Sequence, residues 1–138
     1  MKRREVREKL VELIYETGFE TIGAIGDRTP KQIYANAVEI REFEEDEYLK
    51  KVYFGIWQRL DEIDELVASV SENWSSDRIS RVSNAIIRLA SYEMLYESLP
   101  VPVAINEAVE LAKKYDTDKA PKFINGILNK IAEKSNLK

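Results

Sequence analysis

The sequence predicts an all-α protein, a compact bundle of about six or seven helices in two packed subdomains. Only 5 Gly and 4 Pro occur in 138 residues, and so few helix breakers favour long helices over many short strands. Apolar residues recur at intervals of three and four along most of the chain. They make up 44 % of it, enough to build a core beneath a surface in which 33 % of all residues are charged.

The first predicted helix carries one apolar stripe and ends near Gly18. Residues 18–28 contain three Gly and are expected to form a connection. Thr29 and Pro30 are typical of a helix start, with Thr as the N-cap and Pro in the first position, before a short helical segment at 31–40. The stripe of the first helix consists of Val6, Leu10, Leu13, Ile14 and Thr17.

Residues 46–74 form the longest unbroken helical stretch, either one helix or two joined near Leu60. The cluster at 75–77, Ser-Ser-Asp, is expected to cap the next helical region at 78–97. Within that region the segment Ala85–Tyr96 is apolar around almost its whole circumference. A helix of this kind is usually buried in the middle of a bundle.

Two further helices are predicted towards the end of the chain. Pro100 and Pro102 end the buried segment. The stripe at 104–112 predicts the next helix, which the Asp-Thr-Asp sequence at 116–118 breaks. Apolar residues at 120–131 stripe the last helix.

Two residue types that often carry chemistry are absent. Without Cys, the chain has no disulfide framework and no thiolate metal site, and without His it lacks the commonest general base and metal ligand. No phosphate-binding glycine motif or serine-nucleophile motif occurs. We therefore expect no enzyme, no catalytic residue, no metal site and no cofactor. No signal peptide and no apolar run of about 20 residues is found, so we expect a cytoplasmic protein.

The charge is unevenly distributed along the chain. The net charge is −4, yet residues 1–9 carry a net +3 and residues 113–138 a net +4, while residues 39–65 carry a net −6. If the two chain ends meet in space, they form one basic patch that can bind nucleic acid. The alternative, which charge alone favours, is a set of separate solvated helix faces.

Three blocks in the second half of the chain resemble signatures of the NusB transcription antitermination family. Residues 88–95, RLASYEML, resemble its R-L-A-x-Y-E-L-L helix, and residues 100–115, PVPVAINEAVELAKKY, resemble its next signature. Residues 122–131, KFINGILNKI, resemble K-F-V-N-G-[VI]-L-[DN]-x-I. The blocks stand in the family's order and spacing, and the opening KRREVR resembles its arginine-rich first helix.

The resemblance implies a single RNA-binding domain with helical subdomains of about 1–74 and 75–138. It implies binding of boxA, a short single-stranded leader RNA, together with a small ribosomal-subunit protein known as NusE. Members of the family bind to the elongating RNA polymerase together with other Nus factors, and they suppress premature termination, notably in ribosomal RNA operons. Some members self-associate, so a homodimer is also implied.

The resemblance also implies RNA-binding residues at both basic ends of the chain. The arginines of the first helix are expected to point towards solvent, unless they pair with Glu5, Glu8 or Glu12. The aromatic ring at the start of the last helix either stacks on a base or packs in the core. The implied RNA-binding residues are Lys2, Arg3, Arg4, Arg7, Lys119, Lys122 and Phe123.

Tyr15 and Ser83 are candidate partner-binding residues. Tyr15 matches an aromatic position implicated in the family's partner surface, although core packing explains it equally well. The family often has an acid–base pair where this chain has Ser83 and Asn84. That departure puts in doubt any partner contact carried by the acid. Another departure is Lys119, which replaces a frequent acid and adds a charge favourable to RNA binding.

Two further residues require a structural explanation. Gly126 lies inside a predicted helix, where Gly costs about 1 kcal/mol relative to Ala. A close helix–helix contact is the favoured reason, and a close approach of RNA is the alternative. Arg88 lies in an apolar run and needs a carboxylate partner, for which Glu93, Glu107 and Glu110 are candidates.

Two other functions remain open at this stage. One is the RNA-binding domain of a ribosomal RNA methyltransferase, but the chain ends at Lys138 without a methyltransferase region, so this would require a fragment. The other is a helical interaction module that binds no RNA. Salt-sensitive RNA binding would argue against the second alternative.

Overall fold

Seven α-helices make up a computed structural model of the chain, which describes residues 1–22, 29–40, 43–71 and 79–137. No strand occurs in these ranges, and the all-helical prediction is confirmed. The helices are α1 (Arg3–Ile22), α2 (Pro30–Glu39), α3 (Glu47–Gln58), α4 (Leu60–Val70), α5 (Arg81–Tyr96), α6 (Val101–Tyr115) and α7 (Ala120–Lys134).

Side-chain oxygens cap the first turns of three helices. Thr29 accepts a hydrogen bond from the backbone N–H of Gln32 at 3.2 Å, and the Gln32 side chain accepts one from the Thr29 N–H at 2.8 Å. This reciprocal capping box, with Pro30 in the first turn, confirms the predicted start of α2. Asp46 and Ser80 cap α3 and α5 by a single bond each, since their side-chain oxygens accept from the backbone N–H groups of Leu49 and Ser83, which the helices themselves leave unpaired.

Two predicted boundaries differ from the structure. Helix α1 continues to Ile22, so the connection predicted from Gly18 onwards was placed too early. For the stretch 46–74 the alternative of two helices joined near Leu60 is confirmed, since α3 and α4 are separated at Arg59, but the second helix ends earlier than predicted, at Val70. The predicted cap cluster at 75–77 lies outside the described residues. The cap of α5 is instead Ser80.

Helix α5 is the centre of the bundle, and it packs against α1, α3, α4, α6 and α7. Eleven of its 16 residues are buried, which agrees with the prediction that the segment Ala85–Tyr96 lies in the middle of the bundle. Burial around the whole circumference follows because neighbouring helices cover every side of α5. The division into two subdomains near residue 74 stays a prediction, since that boundary falls outside the described residues. None of the described helices is long and apolar enough to cross a lipid bilayer.

Gly55 allows α3 and α5 to approach closely. A Cβ atom at this position would overlap the ring and hydroxyl of Tyr92 on α5. We therefore expect Gly55→Ala to lower the free energy of unfolding by about 1–3 kcal/mol, the usual effect of overpacking. Urea denaturation measures this loss. Gly126→Ala is the matched control, because a Cβ at Gly126 has nothing within 4 Å. A neutral Gly55→Ala would show that the two helices separate easily.

Candidate nucleic-acid interface

Four basic residues at the start of the chain, Lys2 and three arginines of α1, were predicted to contact RNA, and the structure separates them into two groups. Lys2, Arg3 and Arg4 are exposed. Arg7 is only 5 % exposed, so the prediction that it faces solvent is wrong. The cause is the position of α1, which packs against α2, α3 and α5 and therefore buries a face wider than its apolar stripe.

Arg7 belongs to a buried ionic cluster with Glu93 and Tyr48. Its Nε lies 3.0 Å and 3.1 Å from the two carboxylate oxygens of Glu93, and the Tyr48 hydroxyl donates a hydrogen bond to the same carboxylate. Burial favours the neutral form of Arg7, but the contacts with Glu93 outweigh it and raise its pKa. Burial and Glu93 also raise the pKa of Tyr48, so its hydroxyl stays protonated. The cluster joins α1 to α3 and α5.

The exposed arginines of α1 are also held in place. The guanidinium of Arg3 lies 3.6 Å from the ring centroid of Tyr48, a cation–π contact. Arg4 forms an ion pair with Glu107 of α6 at 3.2 Å. The alternative of local pairing with Glu5, Glu8 or Glu12 is therefore wrong for Arg4 and Arg7, whose carboxylate partners lie on α6 and α5.

A cleft of about 200 Å³ separates the start of α1 from α6. Arg4, Glu8, Glu107 and Lys114 line it with alternating charge. Lys114 lies 2.9 Å from Glu8, so each of these cations has a carboxylate beside it. An anionic ligand at this cleft has to displace those carboxylates from the cations.

A groove of about 420 Å³ lies along the start of α7. Unlike the cleft beside α1, its charged lining residues are all lysines. The predicted residues Lys119 and Lys122 are exposed, and both line it. Phe123 is half-buried: it packs at the edge of the core and also lines the groove. The position of Phe123 is therefore compatible with both alternatives, packing against the core and contact with an RNA base. Gly126, Ile127 and Lys130 complete the lining.

Gly126 is exposed on the wall of this groove. A Cβ atom added there would find nothing within 4 Å. The favoured explanation for this glycine, a close helix–helix contact, is therefore wrong. Lys130 was not among the predicted RNA-binding residues, and the only signal for it in the sequence is its helical spacing from Gly126.

Helix α6 links the two basic segments. Its side chains reach α1 through Lys114 and through the hydroxyl of Tyr115, which donates a hydrogen bond to Glu12 at 3.0 Å. Burial and Glu12 raise the pKa of Tyr115, which keeps this donor protonated. On its other side α6 packs along α7. That RNA contacts both basic ends on one surface stays a prediction.

The two candidate partner-binding residues differ in exposure. Tyr15 is 40 % exposed and lines a shallow pocket of about 50 Å³ together with Arg81 and Asn84. Ser83 is 4 % exposed, and its hydroxyl donates a hydrogen bond to Asp116. Ser83 is therefore not available as a surface contact, and its prediction is corrected. Its role is to fix the start of α5 to the end of α6.

Arg88 is buried and paired, as its place in an apolar run required. Its Nε and Nη2 contact the two carboxylate oxygens of Asp64 on α4 at 3.0 Å and 2.9 Å. The three candidate partners were therefore wrong. The bidentate pair supports the structural interpretation of this arginine, since it joins α4 to α5.

Comparisons with known proteins agree on one family. The family model described as the NusB family matches residues 4–133. The transcription antitermination protein NusB of Bacillus pumilus is 40 % identical over 132 residues, which cover 95 % of each chain. The structure of T. maritima NusB superposes with a TM-score of 0.80 at 35 % identity, over 96 % of this chain and 92 % of that one.

A further solved structure contains the antitermination factors NusB and NusE in complex with dsRNA. It superposes with a TM-score of 0.77 at 25 % identity, and the match covers 97 % of this chain and 99 % of that one.

Proposed function

The chain belongs to the NusB family, and we propose that it is a transcription antitermination factor that binds boxA-type leader RNA together with the ribosomal protein NusE. The family match over residues 4–133 supports antitermination. The observation that best supports RNA binding by this chain is the groove on α7, which Lys119, Lys122 and Phe123 line together. The complex of NusB and NusE with RNA, at 25 % identity, supports both partners.

The residues of the α7 groove suit single-stranded RNA. Lysines attract the phosphates, and a partly exposed aromatic ring offers a face on which an unpaired base can stack. The net charge of −4 opposes indiscriminate binding to nucleic acid, so the contact has to be local. We propose that Lys119, Lys122 and Phe123 make it.

Helix α1 contributes a second group of phosphate contacts in this proposal. Lys2, Arg3 and Arg4 are exposed and provide the charge. Arg7 is a positioning residue, because its buried pair with Glu93 fixes the helix that carries Arg3 and Arg4 and that Lys2 directly precedes. Tyr15, with its exposed ring beside Arg81 and Asn84, is proposed to contact the protein partner.

The wider role follows from the family. We propose that the RNA-bound chain joins the elongation complex of RNA polymerase through other Nus factors, notably in ribosomal RNA operons and in the bacterial cytoplasm. No catalytic step is proposed, since the function consists of binding.

A homodimer that covers the RNA-binding face is a further proposal, and sedimentation with and without RNA tests it.

A gel-shift titration tests RNA binding directly. Single-stranded boxA-like RNA and a duplex of the same sequence are titrated at two salt concentrations, with and without NusE. We expect preferential binding of the single strand and tighter binding with NusE. Salt-insensitive or absent binding under all conditions would contradict the proposal and favour an interaction module that binds no RNA. Equal binding of an unrelated ribosomal RNA hairpin would favour the methyltransferase-type domain.

The contribution of the basic N-terminal segment is tested by removing two of its exposed charges, one just before α1 and one on it. We expect the double variant Lys2→Gln and Arg4→Gln to weaken RNA binding and to reduce the salt slope by about one to two, since each phosphate contact contributes ~0.7–0.9. The matched control, Lys31→Gln with Lys50→Gln, removes the same charge from exposed positions on α2 and α3. If both double variants weaken binding equally, α1 makes no specific contact.

A further inference from the structure

The groove on α7 extends beyond the residues that the family resemblance indicates. We propose that it holds one nucleotide of the bound RNA, with Gly126 as an open wall beside Phe123 and with Lys130 as an additional phosphate ligand. This inference rests on the proposed function and specifies how the α7 surface is used. Three independent features of the described residues support it: unpaired charge, an unexplained glycine and the size of the groove.

The lysines of the groove differ from most other cations of the described residues in their ion pairing. In the part of the chain that the structure describes, Lys119, Lys122 and Lys130 form no ion pair. Cations elsewhere are held by carboxylates, for example Lys51 by Glu97 at 2.9 Å. An anion that binds to these three lysines therefore has no ion pair with a described residue to break. The cleft between α1 and α6 lacks this advantage.

Gly126 keeps one wall of the groove free of side chains. Glycine lowers helix stability relative to alanine, and the structure provides no packing contact that would offset the loss. Position 126 lies one helical turn after Phe123, so a side chain there would stand next to the ring. A planar base that stacks on Phe123 benefits from its absence. Close approach of a ligand to the backbone is a common reason for glycine at such a position.

The dimensions of the groove fit a nucleotide rather than a single ion. Its volume of about 420 Å³ is within the usual range of ~300–1,000 Å³ for sites that bind small molecules. Lys119, Lys122, Gly126 and Lys130 follow one another at intervals of three or four residues and therefore lie along one face of the helix. The row extends about 16 Å, which allows charges on both sides of the base that Phe123 contacts.

Opposite effects on stability and binding test the role of Gly126. We expect Gly126→Ala to raise the melting temperature, because alanine is the better helix former and meets open space. The same variant is expected to bind boxA-like single-stranded RNA about five- to tenfold more weakly, since the methyl group hinders stacking. If Gly126 has only a structural role, Gly126→Ala will change the melting temperature and leave the affinity for RNA unchanged. Thermal unfolding and gel-shift titration of the full chain measure the two effects.

Lys130 is tested against a lysine on the same helix. Lys130→Gln is expected to reduce the salt slope of RNA binding by about one, and Lys134→Gln to leave it unchanged. Lys134 is exposed but does not line the groove. If the unchanged chain binds RNA while Gly126→Ala and Lys130→Gln bind with normal affinity and slope, the inference is wrong and the proposed function stands. If the unchanged chain binds no RNA, both are overturned.

Discussion

Replacing Arg7 with methionine is expected to lower the free energy of unfolding by about 3–5 kcal/mol, the usual loss when one partner of a buried ion pair is removed. Glu93 is only 2 % exposed, and in this variant its carboxylate would remain buried without the cation that holds both of its oxygens. The hydroxyl of Tyr48 would be its remaining close donor. Urea denaturation followed by circular dichroism measures the loss.

Two further variants make the Arg7 result specific. Arg4→Met removes the same charge from a side chain that is 59 % exposed, and we expect a loss below about 1 kcal/mol. The double variant Arg7→Met with Glu93→Leu removes both buried charges, and we expect it to regain much of the stability. An Arg7→Met variant as stable as Arg4→Met would show that the pair does not hold α1 in place. Since unfolding would also abolish RNA binding, Arg7 is unsuitable for a salt-slope test.

Leu89→Ala is expected to cost about 2–5 kcal/mol, the range for truncating a large side chain in a packed core. Leu89 is 1 % exposed and lies on α5, which neighbouring helices cover on every side. The surrounding helices leave little freedom for the space to close, so most of the cavity should persist. Val103→Ala, at an exposed position on α6, is the control and should change stability by less than about 0.5 kcal/mol. If Leu89→Ala costs as little as the Val103→Ala control, α5 is a peripheral helix.

Local sequence patterns determined most of the helical structure. The stripe from Val6 to Thr17 is buried in α1, and the segment Ala85–Tyr96, which is apolar around almost its whole circumference, lies in the central helix. Thr29 and Pro30 marked the start of α2 correctly. These predictions succeeded because helix periodicity and capping depend on residues within one or two turns. The end of α1 was placed too early because glycines lower helix propensity without preventing a helix that packs well.

Tertiary structure alone decided which charged residues are available to a ligand. Both buried arginines need a carboxylate, and the sequence established that need for Arg88 but proposed the wrong partners. Its actual partner is 24 residues away, and the partner of Arg7 is 86 residues away. Pairs of such separation depend on how whole helices pack, which a period of 3.6 residues does not encode.

The same distinction applies to the candidate RNA interface. The sequence identified two basic ends, an aromatic residue at the start of the last helix and an unusual glycine. It could not show that Arg7 is buried, that Gly126 is open to solvent, or that Lys130 borders the same groove as Phe123. A pattern fixes the direction of a side chain relative to its own helix axis. Whether that direction leads into the core or into solvent depends on which neighbouring helices cover it, and only the packed bundle decides this.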